Sequence, residues 1–119
     1  MAINIAPVQS SGLAAAVSLF RGLADPTRLA IVQYLATGEA RVVDLTRQLA
    51  LAQSTVSGHL ACLRDCGLVT ARPEGRQMFY SIAQPELSGL LSAAERLLEA
   101  TGCQVALCPT YGAGAVRGA

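Results

Sequence analysis

Ser54-Thr55-Val56-Ser57-Gly58-His59-Leu60-Ala61-Cys62-Leu63-Arg64-Asp65-Cys66-Gly67 sets the architecture of this chain. Wound at about 3.6 residues per turn, the segment from Gln53 to Cys66 lines up Val56, Leu60 and Leu63 in one stripe that must face a core. The opposite face carries Ser54, Gly58, Ala61 and Asp65. A short helix from about Val43 through Leu45 to Leu49 precedes it across Ala50-Leu51-Ala52, and two short helices around a tight turn predict a helix-turn-helix.

Working outward, Ser10 or Ser11 can cap a first helix whose Leu13, Val17, Phe20 and Leu23 follow helical spacing. In Ala24-Asp25-Pro26-Thr27-Arg28, Asp25 stands where an N-cap belongs and Pro26 at the first helical position. A second helix therefore starts there, carries Leu29, Ile31, Val32 and Leu35, and stops at Gly38. Beyond Gly67 the period changes. Leu68 to Arg72 and Arg76 to Ile82 read as strands around Pro73-Glu74-Gly75, a β-hairpin or wing. After Pro85, Leu87, Leu90, Leu91, Ala94, Leu97 and Leu98 form the apolar stripe of a last helix that ends near Thr101-Gly102. The Gly-rich remainder to Ala119 reads as loose, and no internal repeat is found.

The outer face of the Gln53–Cys66 helix is small and hydroxylated. Such a face lets the backbone approach a groove and donate hydrogen bonds to phosphates or base edges. Gln53, Ser54, Thr55 and Ser57 are the candidate DNA readers, and Gly58 permits the close approach. His59, the one histidine, ranks as a structural or DNA-contacting residue ahead of a metal ligand. Arg72, Arg76 and Gln77 flank the hairpin tip, either meeting DNA backbone or serving as solvated strand ends.

Cys62 and Cys66 lie four residues apart, so their Cβ atoms stack about 5 to 6 Å apart on the helix flank. They read either as small packed hydrophobes or as two thiolates sharing one soft metal ion. Cys103 and Cys108, just past the last helix, make further sulfur donors available. The spacing is neither a zinc ribbon nor a Cys2His2 finger.

At 119 residues and 52% hydrophobic, with 4% aromatic, the chain suits one domain with an aliphatic core. The net charge of +1 is too small to argue for nucleic acid by itself. All nine basic residues are Arg, which reads either as bidentate phosphate or guanine contact or as codon bias. Met1 to Pro7 lacks a signal-peptide pattern and no segment offers about 18 uncharged apolar residues, so a cytoplasmic protein without membrane contact is expected. In that reducing compartment clustered cysteines favour metal over disulfides. An enzyme is not expected: there is no phosphate loop, no paired-carboxylate constellation and no nucleophile partner for His59.

The run Gly22-Leu23-Ala24-Asp25-Pro26-Thr27-Arg28-Leu29-Ala30-Ile31, followed by Ser54 to Leu60, Gly67-Leu68-Val69, Glu74-Gly75-Arg76-Gln77 and Tyr80, resembles the ArsR/SmtB family of winged-helix metal-sensing repressors. Leu60 to Val69 is similar to its cadmium- and lead-sensing branch. The resemblance implies that Cys62 and Cys66 bind metal with a tail cysteine of the other subunit. Cys108 is nearer the expected separation, and Cys103 is carried beside it. It also excludes sites: Arg41-Val42-Val43-Asp44-Leu45 lacks the Cys-x-Cys pair of some relatives, and Pro85 to Thr101 lacks the His of zinc sensors.

The resulting expectation is a mainly α protein with a small β-hairpin (α+β), a homodimeric winged helix-turn-helix. Residues 1–9 form a flexible N-terminus, 10–101 the DNA-binding and dimerisation domain, and 102–119 a flexible tail with ligand cysteines. Its apolar first and last helices pack across a two-fold axis, and the apo dimer represses an inverted-repeat operator with half-sites about 34 Å apart. Cd(II) or Pb(II) releases it, with Zn(II) and As(III) as further effectors. The alternatives are an As(III)/Sb(III)-responsive or a thiol-redox-responsive repressor of the same fold.

Overall fold

The structure, a computed structural model, describes residues 11–103 and Leu107. Expectations for residues 1–10, and for Cys108 with the rest of the tail, lie outside the described residues. The elements run α1 (Ser11–Leu23), α2 (Pro26–Leu35), β1 (Ala40–Arg41), α3 (Val42–Leu49), α4 (Gln53–Asp65), β2 (Val69–Glu74), β3 (Gln77–Ile82) and α5 (Glu86–Ala100).

Local chemistry explains the boundaries. Asp25 is extended and its carboxylate accepts the Arg28 N–H at 3.1 Å, while Pro26 opens α2 without wasting a donor. At the start of α3, Asp44 reaches back to the Arg41 N–H at 2.9 Å, satisfying one of the helix's orphan donors. The α3–α4 turn passes through Ala50 at φ 56°, one of the few left-handed positions a non-glycine residue takes. Gly67, at φ +77°, turns the chain out of α4 so that the Leu68 N–H returns to Leu63 O at 2.9 Å.

The sheet is three-stranded and antiparallel in the order β1-β3-β2, with Val69 opposite Ile82 and Glu74 opposite Gln77. The sequence reading foresees the hairpin but not β1, which pairs Ala40 with Tyr80 and Arg41 with Phe79. The core lies where α2, α3 and α4 meet, with Ile31, Val32, Leu45, Val56, Leu60 and Leu63 fully buried. The Val56–Leu60–Leu63 stripe therefore anchors α4 and leaves its other faces for contact. Among the described residues, no helix is long and apolar enough to cross a membrane.

Candidate nucleic-acid interface and thiol pair

Helix α4 presents Gln53, Ser54, Thr55, Ser57 and Gly58 to solvent. Its N-cap, Ala52, supplies no side-chain hydrogen bond, so the first-turn N–H groups keep their pull on anions. A Cβ added at Gly58 would meet nothing within 4 Å. Packing among the described residues therefore does not demand glycine there.

His59 is half-buried. Its Nδ1 lies 3.2 Å from Arg28 Nη1 and 3.7 Å from Asp25 Oδ2. In the wing, β2 and β3, the guanidinium of Arg72 donates to Glu39 at 2.7 and 2.8 Å and to Glu74 at 2.7 Å, stacking 4.9 Å over Phe79. These carboxylates raise its pKa, and its hydrogen bonds hold the Glu39 carboxyl below the ordinary value. Gln77 accepts from Arg41 at 3.4 Å. Arg76 sits beside Gly75 at the tip and has no ion pair among the described residues.

Cys62 and Cys66 are both half-buried free thiols on one flank of α4. They stand one helical turn apart, and the Cys66 thiol donates to Ser18 O of α1 at 3.6 Å. Burial pushes the Cys66 thiol up, the neighbouring Cys62 and Asp65 add to that, and Arg28 opposes it. The pair suits a soft cation, since two sulfurs one turn apart on a rigid helix need little rearrangement to share an ion. Binding must displace the Cys66 proton that the surroundings favour.

Cys103 is exposed, its N–H bonded to Leu98 O at 2.8 Å. Among the described residues no three His, Cys, Asp or Glu side chains converge, so Cys103 does not join the pair within one subunit. Two residues escaped the sequence reading. Glu95 of α5 is only 5% exposed and accepts the Leu107 N–H, while Gln33 Nε2 donates to Leu107 O at 3.2 Å. The signal for Glu95 was present, since it follows Leu87 and Leu91 at four-residue spacing on the buried stripe.

Fold and site together describe a winged helix-turn-helix with a thiol pair on the helix that carries the candidate DNA readers. The family model described as "Bacterial regulatory protein, arsR family" matches residues 25–71. A regulator named CmtR from Mycobacterium bovis is 48% identical over 73 residues, covering 61% of this chain and 62% of that protein. A probable mercury resistance operon repressor from Streptomyces lividans is 41% identical over 78 residues, covering 66% and 62%. The chain thus spans about three-fifths of the length of these two relatives. HlyU from Vibrio cholerae superimposes with TM-score 0.66 at 36% identity, over 75% of this chain and 97% of that one. The homodimeric winged helix-turn-helix DNA-binding domain of a possible ArsR-family regulator from Mycobacterium bovis gives TM-score 0.68 at 28% identity, over 82% and 95%. The chain belongs to the arsR family of bacterial regulatory proteins, which are DNA-binding regulators and not enzymes.

Proposed function

We propose that the chain is a metal-responsive transcriptional repressor acting in the cytoplasm. Residues 10–101 bind an inverted-repeat operator as a homodimer, and Cd(II) or Pb(II) captured by Cys62, Cys66 and a thiolate of the 102–119 tail releases it. The observation that carries the reading is the placing of two half-buried free thiols one turn apart on the helix that also holds the candidate DNA readers. The CmtR and mercury-resistance relatives support metal as the effector.

Gln53, Ser54, Thr55, Ser57, Gly58 and His59 read the groove, and Arg72, Arg76 and Gln77 serve the wing. Because ligands and readers share one rigid element, an ion that pulls on the sulfurs alters the pose of the readers. Allosteric couplings are typically about 1 to 3 kcal/mol, and near-complete switching needs about 5.5 kcal/mol. A ligand seated on the moving helix itself is well placed to approach that range.

The mercury-resistance relative favours Hg(II) as a second effector, another soft ion suited to thiolates. Zn(II), As(III) and Sb(III) belong in the same titration. Redox sensing is the weaker alternative, because burial and the neighbouring Cys62 and Asp65 disfavour the Cys66 thiolate that would attack an oxidant.

Fluorescence anisotropy on DNA from immediately upstream of its own gene, with and without each ion, tests the reading. Release by Cd(II) or Pb(II), abolished in Cys62→Ser and in either Cys103→Ser or Cys108→Ser, is expected. Full metal-induced release from Cys62→Ser would remove the thiol pair from the mechanism.

A further inference from the structure

Arg28 stands at the third position of α2, yet its side chain serves two other helices. Nε donates to Gly22 O at 2.7 Å and Nη2 to Arg21 O at 3.0 Å, satisfying carbonyls at the C-terminal end of α1. A cation there also offsets the negative end of the helix dipole. The third arm, Nη1, reaches His59 Nδ1 of α4 at 3.2 Å. An arginine can only donate, so Nδ1 must be the acceptor and the imidazole proton sits on Nε2.

We propose that Arg28 is a positioning residue for DNA recognition, locking the pose of α4 by tying His59 to the end of α1. The inference rests on the DNA-binding reading and names how that site is held. The geometry favours a lock because the guanidinium is planar and its donors form a fixed fork. Two arms anchored on α1 backbone therefore fix where the third can meet His59. Helix α1 also carries the exposed apolar residues Leu13, Val17 and Phe20, so the same tie connects the helix with that face to the helix that reads DNA.

The test separates the two ring nitrogens. Asparagine at position 59 keeps an acceptor near Nδ1 and loses the Nε2 donor, whereas glutamine does the reverse. Operator affinity is measured by anisotropy on the upstream duplex over a range of salt, using the full chain. Arg28→Gln and His59→Gln should each weaken binding roughly tenfold, as expected for losing a hydrogen bond to a charged group. The double variant should be no weaker than either single one, His59→Asn should retain more affinity than His59→Gln because it keeps the acceptor that Arg28 meets, and the salt dependence should be unchanged in all of them.

Nitrogen NMR of the imidazole should show the Nε2–H tautomer in the wild type and its loss of preference in Arg28→Gln. Binding unchanged in Arg28→Gln would overturn the proposal. So would His59→Gln tolerated while His59→Asn fails, or a salt slope reduced by about 1, the mark of a lost phosphate contact. If the wild type binds no upstream duplex, the functional reading fails, and the NMR result still decides whether the lock exists.

Discussion

An ideal Cβ built at Gly22 would lie 2.9 Å from Cys66 Sγ and 3.4 Å from Cys66 Cβ. The missing carbon lets the sulfur tuck against α1 and reach Ser18 O, which makes Gly22 part of the thiol site although it carries no donor. In Gly22→Ala the helix gains about 1 kcal/mol of intrinsic propensity, but Sγ must rotate away from its burial. Burial is the first cause of the raised thiol pKa, so Cys66 should alkylate several-fold faster in this variant while thermal stability changes little. Peptide-resolved alkylation rates measure this, and an unchanged Cys66 rate would show that the sulfur is not held by Gly22. The sequence makes the Cys62–Cys66 pair visible because i and i+4 on a helix are neighbours whatever the tertiary fold. It hides Gly22 and Arg28, whose partners sit on other helices.

Elements whose ends are set by their own residues were legible; elements set by a distant partner were not. Asp25-Pro26 announces α2, and the change from helical to alternating period announces the wing. Strand β1 has two residues, too few to show a period, and exists through its pairing with Tyr80 and Phe79. The junction of β1 and α3 yields a pH prediction. Arg41 holds the Asp44 carboxyl down from 3.8 to about 2, by side-chain and then backbone hydrogen bonds. A group with a depressed folded pKa stabilises the fold above its unfolded value and loses that contribution as pH falls through the folded one. Wild type should therefore exceed Asp44→Asn in urea midpoint at neutral pH, and the gap should close between pH 3.8 and about 2. A pH-independent gap would assign the effect to packing. In the wing, Arg72 is engaged by Glu39 and Glu74, whereas Arg76 is not engaged among the described residues. Arg76→Gln should then lower operator affinity at every sequence and reduce the salt slope by about 1. Arg72→Gln should leave that slope nearly intact, and equal slopes for wild type and Arg76→Gln would remove Arg76 from the DNA contact.

At the scale of the whole molecule, four of the six exposed large hydrophobic residues among the described ones lie on the first and last helices. Phe20 is 57% exposed and Leu97 66%, with Val17 at 45% and Leu13 at 40%. These residues lie on the stripes that the helical periodicity marks as apolar, so the sequence identifies the faces, and among the described residues Val17, Phe20 and Leu97 stay exposed. A second copy suits these faces, as in the homodimeric neighbour, because a two-fold arrangement lets each face meet its like and sets two α4 helices toward successive grooves. On the proposed function, operator binding then depends on dimerisation as strongly as on any base contact, since the second half-site is engaged at an effective local concentration and not from bulk solution. Phe20→Glu places a charge in the middle of that face without touching α4 or the wing. It should shift the chain to monomer in sedimentation equilibrium and weaken binding to a full inverted repeat by roughly a hundredfold or more. Affinity for an isolated half-site should change little, and the circular dichroism of each subunit should stay close to that of the wild type. A Phe20→Glu protein that remained dimeric and kept its full-site affinity would move the subunit contact away from α1, and with it the route by which Arg28 links that contact to the recognition helix.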